Sequence, residues 1–182
     1  ATASVLLLAD TVCARADETW RKEFRNTEEF QVKADWVSPT QRASDYEAAL
    51  TPEKTVVFKV NGAGKAMKWI MKGGPDLSKT PYGTLRYRAT GINTTSPDYF
   101  LWLGDSKNKG IFNVPMNQIV ADGKWHEMSM ASDKRLPSDA IAFQVTASKS
   151  SNSATLEVDY LSFSATPARA DNWSEEWKAS GF

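Results

Sequence analysis

Hydrophobic and polar residues alternate one by one along much of the chain, as they do in a β-strand with one buried and one exposed face. The alternation is clearest in residues 55–60, 66–72 and 84–90. Each of these segments ends at a turn signal that contains glycine. The pattern therefore predicts three strands, each turning its apolar face toward a core.

Five further short segments have the character of strands and extend this pattern. They are residues 99–103, 110–114, 125–131, 141–147 and 155–163. Turn-forming Gly, Pro, Asn, Ser and Asp residues separate them, and no long amphipathic helix lies between them. This spacing favours an all-β fold, a two-sheet antiparallel β-sandwich or jelly roll.

The apolar faces of the strands identify a candidate core. Because side chains alternate across a strand, the residues that face inward also determine which residues face outward. We predict that ten side chains share one interior: Val56, Phe58, Val60, Met67, Trp69, Leu85, Tyr87, Ile141, Phe143 and Val145.

The two ends of the chain differ from the middle, and the sequence predicts three regions. Residues 1–20 form an N-terminal strand or the remnant of a signal or linker, residues 21–166 form the sandwich, and residues 167–182 form a C-terminal linker or tail. Irregular or helical structure is expected only near the ends, over residues 18–30 and 172–179.

Two interpretations of the first residues stay open. Ala14-Arg15-Ala16 follows an apolar stretch, an arrangement typical of the end of a secretory signal peptide. Alternatively, residues 4–9 form a short strand that pairs with the domain or with a neighbouring chain.

A short motif occurs near both ends of the chain. Ala-Arg-Ala-Asp at residues 14–17, followed by Trp20, returns 154 residues later at residues 168–171, followed by Trp173. Repetition at the length of a domain is typical of tandem arrays. A tandem or assembled neighbour that packs on both tryptophans is therefore one interpretation, and coincidence is the other.

Charge and residue counts exclude several classes of function. The 182 residues carry 22 Lys and Arg against 22 Asp and Glu, so there is no positive excess to attract nucleic acid. The longest apolar run, residues 5–9, is far too short to span a bilayer. Cys13 and His126 are each the only residue of their type, which excludes an internal disulfide and multi-Cys or multi-His metal centres.

Catalysis has little support in the sequence. His126 follows a turn at the start of a predicted strand, and no recognisable nucleophile motif lies near it or near Cys13. We therefore expect no enzyme and name no catalytic residue.

Aromatic residues are more numerous than a core of this size requires, with seven Trp, five Tyr and eight Phe. Sugars are recognised by stacking of their apolar C–H face on an aromatic ring while polar side chains bind the hydroxyls. Leu101 and Leu103 lie on one face of their strand, so Trp102 lies on the opposite face. The predicted ligand-binding residues are Tyr99, Trp102, Trp125, Arg86, Arg88 and Asp105.

Basic residues recur on the polar faces of the predicted strands. Lys59, Lys68, Lys72, Arg86 and Arg88 all lie opposite the apolar residues of their strands. If the strands are neighbours, these side chains form one cationic patch. Such a patch is either a solvated face that blocks edge aggregation or a platform on which Arg binds the carboxylates or sulfates of an acidic polysaccharide.

The order of the strand motifs resembles that of a known class of protein. Between residues 56 and 164 the succession is TVVFKV, KWIM, PDLS, LRYRATG, YFLWLGD, DGKWH and LEVDYLSFS. This succession resembles carbohydrate-binding modules of the β-jelly-roll, galactose-binding-like kind. The resemblance implies a secreted or cell-surface location and a structural calcium ion held by an acidic residue of the last strand, which is Asp159 here.

The sequence thus favours a non-catalytic carbohydrate-binding module of a secreted or cell-surface protein, with a polysaccharide as its partner. The alternative is a structural subunit of an extracellular assembly, in which residues 5–9 add as a strand to the sheet of the next copy. A lyase or hydrolase on the same fold is the least favoured interpretation.

Overall fold

The computed structural model describes residues 18–28, 30–32, 43–105, 107 and 109–167. Eleven strands and two single 3-10 turns make up the regular structure of these residues. The strands are β1 (Glu18–Glu23), β2 (Gln31–Val32), β3 (Tyr46–Leu50), β4 (Val56–Asn61), β5 (Ala66–Lys72), β6 (Tyr82–Thr90), β7 (Tyr99–Gly104), β8 (Gly110–Pro115), β9 (Asp122–Ala131), β10 (Ala140–Thr146) and β11 (Ser153–Ser164).

Two antiparallel sheets face each other across the core. Sheet 1 has the order β3-β4-β11-β6-β9, and β1 pairs with the second half of the long strand β11. Sheet 2 has the order β2-β5-β10-β7-β8. The protein is therefore an all-β, two-sheet antiparallel sandwich, and the predicted fold class is confirmed.

The predicted core is confirmed residue by residue. All ten side chains are buried, and the most exposed of them, Trp69, is only 2% exposed. Phe143 lies at the centre, with its ring centroid 5.3 Å from that of Phe58 and 5.4 Å from that of Phe24. Alternation along β4, β5, β6 and β10 therefore identified the inward faces correctly.

The expectation of irregular or helical structure over residues 18–30 is wrong for the first part, which is strand β1, whereas residues 24–28 and 30 are irregular. Glu18–Glu23 pairs antiparallel with β11, and Trp20 lies opposite Phe163 with the two ring centroids 6.0 Å apart. Pairing with a strand about 140 residues away overrides the local preference of the segment. Trp20 is half-buried against its own chain.

Several expectations about the ends fall outside the described residues. These are the strand at residues 4–9, the signal-peptide junction at Ala14-Arg15-Ala16, Trp173 and the helix over residues 172–179. The strand-addition alternative and the tandem-joint interpretation therefore stay predictions. Within the described ranges, no helix is long and apolar enough to cross a membrane.

Gly91 allows β6 to turn toward the loop that follows it. Its φ is +65°, and a Cβ at this position would lie 2.2 Å from the carbonyl oxygen of Ser153. We expect Gly91→Ala to lower the free energy of unfolding by more than the ~1–2 kcal/mol that a left-handed conformation costs alone, as measured by urea denaturation.

Gly64→Ala is the matched control for this substitution. Gly64 has a φ of +71°, but the nearest atom to its Cβ would be the Lys149 side chain at 3.7 Å. Equal losses for the two variants would contradict a steric role for Gly91.

Candidate functional site

Five of the six predicted ligand-binding residues lie on two opposite faces of the sandwich, and Asp105 lies in the loop after β7. Arg86, Arg88 and Trp125 lie on the outer face of sheet 1. Trp102 belongs to a cluster on the outer face of sheet 2, and Tyr99 packs against that cluster. Asp105 follows β7, and its Oδ1 accepts hydrogen bonds from the backbone nitrogens of residues 107 and 109, both at 2.9 Å. The structure therefore does not bring the six together in one site.

The register of sheet 1 explains why Arg86, Arg88 and Trp125 converge. Arg88 on β6 lies directly opposite Trp125 on β9, and Arg86 lies directly opposite Glu127. On the other side of β6, a β-bulge in β11 places Asp159 beside Arg86. Arg86, Arg88, Trp125, Glu127 and Asp159 are called the Trp125 surface below.

Two guanidinium groups lie over the indole ring of Trp125. The Cζ atom of Arg86 lies 5.2 Å from the Trp125 ring centroid, and that of Arg88 lies 5.0 Å from it, within the range of a cation–π interaction. Both arginine side chains are 41% exposed. Trp125 itself is half-buried, so this part of sheet 1 is open to solvent in part.

Each arginine uses only its Nε atom toward a carboxylate. The Nε of Arg88 donates to Oε2 of Glu157 at 2.6 Å, and the Nε of Arg86 lies 3.1 Å from Oδ2 of Asp159. In the described part of the chain, the terminal Nη atoms of both residues donate no hydrogen bond. The surface therefore offers four donor nitrogens beside an aromatic ring.

Tyr160 closes one side of the Trp125 surface. Its hydroxyl donates to Oε1 of Glu127 at 2.6 Å, and the guanidinium of Arg21 lies 3.9 Å from the centroid of its ring. Burial, together with the hydrogen bond to Glu127, raises the pKa of Tyr160 to about 12. The tyrosine therefore stays neutral and keeps its donor proton at physiological pH.

The prediction of one cationic patch is wrong. Lys59, Arg86 and Arg88 belong to strands of sheet 1, whereas Lys68 and Lys72 belong to β5 in sheet 2. The three on sheet 1 also lie beside carboxylates, including Glu47, whose Oε1 is 3.5 Å from the Lys59 ammonium. Alternation predicts which face of a strand a residue lies on but not the sheet to which the strand belongs. The prediction therefore assigned basic residues of two different sheets to one patch.

The outer face of sheet 2 carries a different aromatic cluster, which is nearly closed to solvent. Leu101 and Leu103 face the core and Trp102 faces outward, as alternation predicts, but Trp102 is only 6% exposed. Lys68 is 2% exposed; its ammonium donates to the Tyr99 hydroxyl and lies 4.5 Å from the Trp102 ring centroid. The role of Tyr99 and Trp102 in ligand binding stays a prediction, which this burial does not favour.

Gly104 makes room for the Trp102 indole on this face. A Cβ at Gly104 would lie 1.9 Å from the ring. We expect Gly104→Ala to displace the indole and to lower the free energy of unfolding by about 1–3 kcal/mol in urea denaturation, as overpacking does elsewhere.

Glycan binding by the Gly104→Ala variant shows which of the two sheets carries the ligand. If the ligand binds on sheet 1, folded Gly104→Ala protein retains its affinity for it. A loss of binding without further unfolding would instead place the ligand on sheet 2.

Calcium binding through Asp159 stays a prediction, and the observed surroundings do not fit it. The Asp159 carboxylate faces the cationic Arg86 side chain. Across the described residues, no group of three or more His, Cys, Asp or Glu side chains is arranged to hold a metal ion. Asp159 is therefore treated as part of the Trp125 surface.

His126 has a structural environment. Its Nε2 lies 2.8 Å from Oδ1 of Asp122, and its ring centroid lies 5.8 Å from that of the buried Tyr87. Asp122 belongs to β9 and Tyr87 to β6, and together they hold the imidazole at the edge of sheet 1.

Sequence reasoning missed Glu157, Glu127 and Tyr160. Alternation in LEVDYLSFS places Glu157 on the polar face of its strand, but alternation gives neither the partner strand nor the register of the pair. The observed strand pairing and register bring Glu157, Glu127 and Tyr160 close to Arg86 and Arg88.

Comparisons with known proteins give a structural likeness without a close relative. No family model matches the chain, and no curated protein matches it. Among solved structures, it is similar to the xylan-binding module CBM86 from Roseburia intestinalis, with 13% identity, a TM-score of 0.47 and coverage of 79% of this chain and 94% of that one.

Two further solved structures belong to the same class of module. A CBM29-2 mutant complexed with cellulohexaose has 9% identity, a TM-score of 0.48 and coverage of 85% of this chain and 95% of that one. The CBM22-1 xylan-binding domain from Paenibacillus barcinonensis Xyn10C has 10% identity, a TM-score of 0.44 and coverage of 84% and 97%. At these identities and TM-scores the likeness decides neither the family nor the ligand, so function has to be argued from this chain's own residues.

Proposed function

We propose that the protein is a non-catalytic carbohydrate-binding module that binds a polysaccharide through the Trp125 surface. The observation that carries this proposal is the position of four Nη donors of Arg86 and Arg88 beside the indole of Trp125, on a face that solvent reaches. We expect the protein to be secreted or displayed at a cell surface, where polysaccharides are found.

The chemistry of the surface suits a sugar. The indole accepts the apolar C–H face of a pyranose, while the Nη groups donate to its hydroxyl oxygens. The exposed carboxylates of Glu127 and Asp159 accept hydrogen bonds from hydroxyl groups. One aromatic platform with donors and acceptors on its rim meets the requirements of sugar recognition.

Affinity electrophoresis against a panel of neutral and acidic polysaccharides, at low and high ionic strength, tests this function. Because Glu157 and Asp159 offset Arg88 and Arg86, we expect at least one polysaccharide to retard the protein by an amount that changes little with salt. No retardation by any polysaccharide would reject the function. Retardation that high salt abolishes would contradict the role of stacking.

A further inference from the structure

Glu157 is a buried acid on the partly exposed outer face of sheet 1. It lies on β11, on the outer side of sheet 1, in the row that continues through Arg88 to Trp125. Its side chain is only 7% exposed, and it is the one buried acidic residue in the described part of the chain. Burying a carboxylate is costly unless hydrogen bonds and an opposite charge compensate for it.

Both carboxylate oxygens of Glu157 are used. Oε1 accepts a hydrogen bond from the Thr55 hydroxyl at 2.5 Å, and Oε2 accepts one from Arg88 Nε at 2.6 Å. The Thr55 hydroxyl in turn lies 2.7 Å from that of Thr51, in the turn between β3 and β4. The Thr55 hydroxyl of this turn therefore binds the carboxylate on the side opposite Arg88 Nε and restricts its rotation.

The fixed carboxylate determines where the Arg88 guanidinium lies. With Nε bound to Glu157, the plane of the guanidinium is fixed by a hydrogen bond, and the hydrogen bond to Glu157 also raises the pKa of Arg88. Arg86 is different: its Nε is buried and near Asp159, but it has no acceptor with hydrogen-bond geometry, and the Asp159 side chain is 40% exposed. The two arginines therefore have unequal freedom.

We propose that Glu157 is a positioning residue of the Trp125 surface, which together with Thr55 holds the Arg88 guanidinium beside the indole with its Nη atoms directed at the ligand. This inference rests on the proposed function. Ordering the side chain before binding removes an entropic cost from the binding step. Glu157 therefore raises affinity without touching the ligand.

The test combines a measurement without ligand and one with it. The NMR cross peak of the Arg88 Nε–H group, assigned by its loss in Arg88→Gln, reports whether the group is held. In Glu157→Gln we expect solvent exchange of this proton to speed up about tenfold or more, and the Kd for the polysaccharide to rise about tenfold. The double variant Glu157→Gln/Arg88→Gln should bind no more weakly than Arg88→Gln alone, because both changes remove the same interaction.

Glu47→Gln is the matched control, since Glu47 is an exposed acid of sheet 1 that pairs with Lys59 outside the Trp125 surface. It should change neither the Arg88 cross peak nor the Kd. Thr55→Val, which removes the hydroxyl at constant shape, repeats the test if Glu157→Gln does not fold, with faster exchange of the same proton and a higher Kd expected.

Two results would overturn the positioning role. The first is an Arg88 Nε–H proton that exchanges with solvent as slowly in Glu157→Gln and Thr55→Val as in the wild type. The second is a loss of affinity in the double variant that equals the sum of the losses in the two single variants. If the wild-type protein binds no polysaccharide, the proposed function is rejected. The exchange measurement needs no ligand, so it still supports or rejects the ordering of Arg88 by Glu157.

Discussion

Replacing Trp125 with alanine is expected to abolish retention on the polysaccharide while leaving the Tm nearly unchanged. The indole provides the stacking platform, and truncation of a central aromatic in a binding site typically costs 2 kcal/mol or more, which corresponds to a rise in Kd of about 30-fold or more. The effect on stability is small because Trp125 lies on the edge strand β9 and its side chain is only half-buried.

Ser129→Ala is the control for Trp125→Ala. Ser129 lies on the same strand, is exposed, and pairs with Thr84 outside the Trp125 surface. It should bind like the wild type in isothermal titration calorimetry. If Trp125→Ala binds equally well, the platform is elsewhere; if it melts far below the wild type, Trp125 is part of the core.

Replacing Phe143 with alanine is expected to lower the free energy of unfolding by about 3–5 kcal/mol, the usual cost of removing a fully buried aromatic side chain. Phe143 is on β10, and its ring lies close to those of Phe24, Phe30 and Phe58. The cavity would therefore open where aromatic side chains of both sheets meet. Urea denaturation with an unchanged m-value is the measurement.

Phe112→Ala provides the comparison for Phe143→Ala. Phe112 is on the edge strand β8 and is half-buried against the same core. It should cost clearly less, because neighbours and solvent can fill part of the space it leaves. Equal costs for the two variants would contradict a core centred on Phe143.

Most of the sandwich could be predicted from the sequence because alternation is a local property. Eight of the eleven strands were placed within a few residues, and β5 was placed at its observed bounds. Among the three missed strands, β3 pairs with its neighbour β4, and its sequence YEAAL lacks the strict alternation of the predicted strands. Of the other two, β2 has two residues and β1 is held by the distant strand β11. Local preference cannot reveal such pairing.

The candidate site could be predicted only in part because it depends on strand order. Arg86 and Arg88 were placed on outward faces by alternation, Trp125 was selected as an aromatic residue beside polar ones, and adjacent strands bring the three together. Tyr99 and Trp102 were selected because they lie in an aromatic segment beside polar residues, but their strand belongs to the other sheet. Glu157 was missed because its burial comes from Thr55 and Arg88, which are distant in sequence.

The central claim is that a glycan binds at the Trp125 surface, and an NMR titration with a soluble oligosaccharide of the retained polysaccharide tests it most directly. The indole N–H signals of Trp125 and Trp102 are assigned by single Trp→Phe variants and followed as ligand is added. We expect the Trp125 indole and the Nε–H groups of Arg86 and Arg88 to shift in a saturable manner, with the Trp102 indole unchanged. Saturable shifts at Trp102 with none at Trp125 would contradict the account.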